Sequence, residues 1–345
     1  MISTILWGLL ATTQAGEISV TEKGHVNNPI WSADGKKIAF EINAQAGDIS
    51  LFVAKVDGVS MSGSPEKILL GAQKSSFGGG GGTIAAPTWH PNGTLFFTGA
   101  YKGESNRIYM NAFNGTPSRA LISEKDSPGD LSWPTVSNDG SNIVFVSDAT
   151  GMGDVYSYNL TKWKLQPLVQ SEHSEMAPRY DDSGKVIYTR KRNEGEDVFL
   201  YDGSASSDWV GGAGDQTRPN WADSGVVFFS SERGGDNWDI VVSVAPGKKK
   251  TLAKSVRLPF RAPPALSPDG TWVVYGLEHP DKSNSVWATK IDGSKTVELK
   301  TAHEACGEPA LTSVDGKIYL AYTALPSEGS DWRQLHVMDV TSKLQ

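Results

Sequence analysis

The chain has one cysteine, Cys306, in 345 residues. A lone thiol excludes an intrachain disulfide framework, so packing has to supply the stability. Long apolar runs are missing as well. The most apolar stretch, residues 2–11, is too short for a membrane-spanning helix, which takes roughly 20 residues. Surplus positive charge is absent: the formal net charge is −7, whereas a nucleic-acid surface would show a basic stripe. The one basic run, residues 248–250, lies between strand-like segments and reads as a solvated loop. Extended helix-forming stretches are few. No G-x-S-x-G elbow of a serine hydrolase occurs, and the five glycines at 78–82 lack the G-K-[ST] ending of a phosphate-binding loop.

What remains is a chain of 37 glycines, 18 prolines and many short β-branched and aromatic runs, a mixture that favours strands joined by turns. One phrase recurs seven times: PIWSADG from Pro29, PTWHPNG from Pro87, PTVSNDG from Pro134, PRYDDSG from Pro178, PNWADSG from Pro219, PALSPDG from Pro264 and PALTSVDG from Pro309. Its closing glycines, Gly35, Gly93, Gly140, Gly184, Gly225, Gly270 and Gly316, are 58, 47, 44, 41, 45 and 46 residues apart. Proline lacks an N–H and suits the first positions of a strand, and glycine closes the hairpin because it accepts positive φ. An apolar strand follows each glycine (KIAFEI, IVFVSD, VVFFSS), then a third (DISLFVAKV, DVYSYNL, DIVVSV) and usually a short fourth. Four strands per repeat make a propeller blade, which buries its two faces only against its neighbours. The bulky residue two after each proline (Trp31, Trp89, Tyr180, Trp221, Leu266, Leu311) is expected to fill the space between blades.

The expected fold is therefore all-β: a seven-bladed β-propeller of four-stranded antiparallel blades. Residues 17–22 precede the first proline with no partner of their own, and only five residues follow the last third strand. The N-terminal strand is expected to join the last blade and close the ring, removing exposed sheet edges. Small residues Thr13 and Ala15 after the apolar run fit a signal peptide at 1–15, leaving 16–345 as a single exported domain.

The phrase W-S-x-D-G…I-A-F…G-x-x-D-I, as in PIWSADGKKIAF and SSERGGDNWDIVV, resembles the repeat of the TolB-type β-propeller family over residues 27–341. The resemblance implies a periplasmic or secreted module of the cell envelope that grips a protein or peptide partner at the mouth of its central channel. It implies a monomer that joins a hetero-complex, with no cofactor. The family's additional α/β domain and its six-blade count are not matched.

Propellers work from one face, where the loops entering each first strand and those joining second to third strands open together. The expected rim residues are Asn27, Asn28, Ser132, Trp133, Glu175, Met176, Thr217, Arg218, Arg261 and Glu308. Arginine and tryptophan among them suit protein recognition, while polar turn chemistry accounts for any one of them taken singly. The glycine-rich insertion before Pro87 reads as a tether or, through Phe77, a lid. His25, His303 and Cys306 are the candidate metal ligands, but no zinc-type spacing occurs and no metal is expected. The recurring Asp48, Asp154, Asp197 and Asp239 read as turn-stabilising groups. The alternative function is a carbohydrate-active hydrolase or lyase with Glu175 or Glu308 as acid or base.

Overall fold

The computed structural model describes residues 16–18, 23–43, 48–70, 83–101, 103–232, 235–279, 284–303, 306–326 and 331–345. Residues 1–15, expected from sequence to be a signal peptide, residues 19–22 and the glycine run at 78–82 with Phe77 lie outside them. Among the described residues, strands alternate with turns throughout, and helix is confined to Thr341–Leu344.

Each copy of the proline-to-glycine phrase opens an antiparallel sheet whose strands lie side by side in chain order. The third copy is typical: Leu131–Val136, Asn142–Ser147, Asp154–Asn159 and Lys164–Val169. The strand after the glycine is buried along nearly its whole length, as in Leu95–Ala100 and Asn142–Ser147. The fourth strand, as in Lys164–Val169, is mixed in composition and about half exposed. Continuous apolar runs thus mark strands covered on both faces, and mixed runs mark the outer edge. The fifth and sixth copies share one continuous hydrogen-bonded path, joined through a single pair, Val256 with Leu277. In the last sheet, Gly307–Val314, Lys317–Ala324 and Gln334–Asp339 are followed by Gly16–Ile18, which pairs with Gln334–Asp339.

The apolar clusters belong to the gaps between sheets. Ile143 and Phe145 of the third copy pack with Phe96 and Ile108 of the second. Ile187 and Val198 of the fourth pack with Val226 and Phe228 of the fifth. Ile38, Phe40 and Ile42 of the first pack with Leu335 and Val337 of the seventh, and with Ile18. A sheet of this kind has no core of its own, which makes the fold a stack of mutually dependent units.

The turn chemistry repeats atom for atom. Ser32 Oγ donates to Asp34 (2.6 Å) and accepts the N–H of Lys37 (2.9 Å), while Gly35 N–H returns to the Ser32 carbonyl (2.9 Å). Ser137–Asp139–Gly140 and Ser267–Asp269–Gly270 do the same. Gly35, Gly140 and Gly270 all have φ between 63 and 73°, which explains why the phrase ends in glycine.

The large side chain two after proline bridges sheets as well as filling space. Trp89 Nε1 donates to the carbonyl of Ile30 (3.2 Å), and Trp221 Nε1 to that of Arg179 (3.1 Å). Trp31 Nε1 donates to Ala310 (3.1 Å), from the first copy to the seventh. Each acceptor is the residue after the proline in the preceding copy. Tyr180 makes an equivalent link through its hydroxyl to Ser157 (2.6 Å), while Leu266 and Leu311 contribute packing alone.

Trp31→Phe should therefore cost about 1–3 kcal/mol, because the ring volume is nearly kept while the Ala310 carbonyl loses its donor. Urea unfolding followed by circular dichroism measures this. Trp163→Phe, at a 58% exposed indole, should leave the midpoint unchanged.

Candidate functional site

The residue before the proline is where the repeat departs from regular strand. Asn28, Ala86, Trp133, Ala177, Arg218 and Glu308 each precede a phrase proline, and each has φ between 47 and 53°. In the sixth copy the position before Pro264 is itself a proline, Pro263, whose ring forbids positive φ. The left-handed residue there is Arg261 (φ 55°). Six first strands skip register at this point, for example between Asn27 and Ile30 and between Thr217 and Asn220. A left-handed non-glycine residue costs roughly 1–3 kcal/mol and persists only where its surroundings impose it.

For three of them those surroundings include a side chain of the preceding copy. The N–H of Ala86 donates to Glu41 Oε1 (2.8 Å), that of Arg218 to Thr189 Oγ1 (2.9 Å) and that of Asn28 to Glu308 Oε2 (3.4 Å). Polar groups buried next to the channel thus serve the backbone. Glu308 takes the Phe260 N–H on its other oxygen (2.7 Å). Glu175 is held by Arg190 Nε (2.8 Å) and Ser171 Oγ (2.7 Å). Burial pushes both carboxyls above the usual carboxylate range. Glu41, fully buried, is pushed up to about 7 by burial, against hydrogen bonds from Asn28 and Ala86 that pull it down.

Two cavities open beside this belt. One, of about 620 Å³, runs down the channel past Asn28, Trp31, Trp89, Trp133, Arg179 and Arg261. The other, of about 660 Å³, is a cleft at the mouth lined by His25, Asn27, Arg218, Arg257, Arg261, Glu308 and Arg333, with Leu258, Pro259 and Phe260 as an apolar wall. Of the rim residues expected from sequence, Asn27, Arg218, Arg261 and Glu308 meet at the cleft, and Asn28 and Trp133 face the channel. Ser132, Glu175, Met176 and Thr217 line neither, and Glu175 and Thr217 are buried. Glu308 is present as a buried brace for two backbone N–H groups.

Arg257 and Arg333 are the cleft residues that repeat reasoning did not flag. Arg333 ends the loop between second and third strands of the last sheet, a loop class expected on this face, whereas Arg257 follows the long fourth strand Lys248–Val256 and carries no repeat signal. Arg218 reaches the Pro259 carbonyl (2.6 Å), and the guanidinium of Arg261 lies 5.1 Å from the Phe260 ring. Burial and the Arg257 charge bring Arg333 down to about 10. His25 is lowered by burial and then by Arg333 and Arg257; its ring meets Trp332 edge-on at 5.0 Å.

The candidate metal ligands divide between two places. His25 belongs to the cleft. Cys306 is buried with its sulfur 2.9 Å from the His303 carbonyl, and His303 Nδ1 lies 3.0 Å from the Tyr322 hydroxyl. Among the described residues, no three His, Cys, Asp or Glu side chains gather in a ligating group. Asp154 and Asp239 accept the N–H groups of Ser171 and Ser255 (both 3.2 Å), tying the third strand to the loop after the fourth strand in one copy and to the end of the fourth strand itself in the other.

The four-stranded antiparallel sheets and the channel beside them place the protein in the β-propeller class. No protein-family model matches the chain, and no curated protein matches it in sequence. Solved structures do resemble it. TolB from Acinetobacter baumannii is 18% identical, with 81% of this chain and 67% of that one covered and a TM-score of 0.56. An oligogalacturonate lyase from Vibrio parahaemolyticus is 13% identical over 96% of this chain and 95% of that one, with a TM-score of 0.60. A puromycin-hydrolyzing peptidase from Mycobacterium tuberculosis is 15% identical with a TM-score of 0.66; 92% of this chain matches 51% of the peptidase. At these identities the likeness is one of fold: a TolB-like β-propeller.

The buried carboxyls set a pH dependence. Glu41 holds its proton in the folded protein to about pH 7, whereas the unfolded chain releases it near 4.5. Between those values the folded state binds more protons, so stability falls as pH rises, and the loss is complete above pH 7. Glu41→Gln should remove most of this slope, raising stability by about 3 kcal/mol at pH 8 and little at pH 4.5. Melting temperatures of both proteins across pH 4.5–8 check it.

Proposed function

We propose that the chain is a non-catalytic interaction module that binds a protein or peptide partner at the channel mouth. The carrying observation is the division of labour at the mouth. Among the described residues the cleft holds a cluster of arginines and one carboxyl, Glu308, which has both oxygens committed to backbone N–H groups. Such a site offers recognition groups on a rigid frame, with that carboxyl engaged by the fold rather than open to acid–base chemistry.

The reading includes a seven-bladed ring in which Gly16–Ile18 is the outer strand of the last blade. It is supported by the first-to-seventh links through Trp31, Asn28 and the shared Ile18–Val337 cluster. We assign 1–15 to an export signal and 16–345 to the propeller, acting as a monomer within a cell-envelope hetero-complex in the periplasm or outside the cell. The small residues after the apolar leader and the TolB-like fold support this.

Carbohydrate chemistry is the second reading, favoured by the match to oligogalacturonate lyase over nearly the whole of both chains. Glu175 and Glu308 would be its acid–base candidates, and turnover of an oligosaccharide lost in Glu308→Gln would establish it over the first.

Affinity capture from an envelope extract tests the mouth. The double variant Trp133→Ala, Arg261→Ala should lose at least about 90% of the partner retained by wild type, in line with loss of two central anchors. Trp163→Ala on the outer surface should retain it. Equal recovery by the double variant would remove the mouth from the interface.

A further inference from the structure

Building on the mouth as the partner site, we propose that its occupant is an extended acidic peptide segment. Its carboxylates would engage Arg333, Arg257, Arg218 and Arg261 at the cleft and then Arg179 inside the channel.

Charge distribution is the first argument. The chain carries net charge −7, yet four guanidiniums and His25 converge on one cleft. Arg257 and Arg333 lie close enough to repel each other, as do Arg218 and Arg261. Among the described residues Glu308 and Glu196 answer that charge, and both Glu308 oxygens already accept backbone N–H groups. Solubility does not call for such a cluster, and its chemistry suits an anionic visitor. Arginine is suited to that visitor, because its planar fork grips a carboxylate with two parallel hydrogen bonds.

The second argument is continuity. Arg261 borders both the cleft and the channel. Within the channel stands Arg179, whose Nε is buried and has no hydrogen-bond partner among the described residues. A buried donor left in that condition costs about 1–3 kcal/mol, and an acceptor arriving from the mouth would satisfy it. The cations thus form a path leading inward.

The wall selects peptide over acidic sugar. Leu258, Pro259 and Phe260 give one side of the cleft an apolar surface. An extended peptide turns alternate side chains to opposite sides, carboxylates toward the arginines and carbon toward this wall. A uronate chain could meet it only with the C–H faces of its rings, its carboxylates and hydroxyls held at the ring edges.

Fluorescence anisotropy on the full chain tests the inference, with labelled hexaglutamate and hexaglutamine peptides as probes and trigalacturonate as competitor. Hexaglutamate should bind and hexaglutamine should not, with affinity falling steeply from low to high salt. Arg333→Gln and Arg179→Gln should each weaken binding about tenfold or more, as expected for loss of a charge-assisted pair. Arg192→Gln, whose side chain pairs with Asp208 away from the cleft, should bind as wild type. Thermal melts confirm folding; should a glutamine variant not fold, Arg333→Lys, which keeps the charge and loses the fork, should still weaken binding measurably. Equal binding of the two peptides, or undiminished binding by Arg333→Gln, would overturn the proposal. So would displacement of the peptide by trigalacturonate at lower concentration, which would assign the cleft to acidic sugar. A partner captured through Trp133 and Arg261 but indifferent to salt and to Arg333→Gln would sink the acidic-segment inference and leave the mouth reading standing.

Discussion

The structure depends on one constraint: no sheet can satisfy itself. Its apolar faces are covered only by its neighbours, and in three copies the strained pre-proline residue, Asn28, Ala86 or Arg218, is held by a side chain from the preceding copy. In the same three copies a tryptophan reaches back to that copy's carbonyl. The three kinds of link run in the same direction, including from the first copy to the seventh through Trp31 and Asn28. Losing one sheet would strip donors and acceptors from two others, which couples distant parts of the sequence into a single folding unit.

That coupling also explains why charged groups near the channel are mostly structural. Glu41 and Glu308 are buried because the left-handed turn and its neighbours need acceptors there, while Glu175 is buried in a side-chain network with Arg190 and Ser171. A carboxylate serving two N–H groups is a poor general acid, however well placed it looks in the sequence. The arginines differ. Arg333, Arg261 and Arg179 are not required by the repeat, since other copies do without them at equivalent positions, and they are the residues a ligand can claim.

The repeat was legible because its physics is local. Proline, turn glycine and β-branched runs each state their geometry within seven or eight residues, and the Ser–Asp–Gly turn carries its own hydrogen bonds. The positive φ before proline was not legible: Asn28, Ala86, Trp133, Ala177, Arg218 and Glu308 share no chemistry, and the residue before proline ordinarily favours extended backbone. It arises from acceptors in another copy, up to 280 residues away for Asn28 and Glu308. The same limit hid Arg257 and Arg333, which belong to the site through three-dimensional proximity alone. Ser132, Met176 and Thr217 show the converse. Their place beside a phrase proline suggested the rim, yet they line neither cavity, although Asn27 at the equivalent position lines the cleft.

The lone Val256–Leu277 bridge has a mechanical consequence. It laces the fifth and sixth copies into one continuous ribbon, so these two sectors cannot hinge against each other without breaking backbone hydrogen bonds. The junction of the chain's two ends is laced more sparingly, by the three-residue strand Gly16–Ile18 and by one backbone bond from the Val26 N–H to the Arg333 carbonyl (3.1 Å). The backbone that carries a cleft arginine is thus the same backbone that fastens the last sheet to the first.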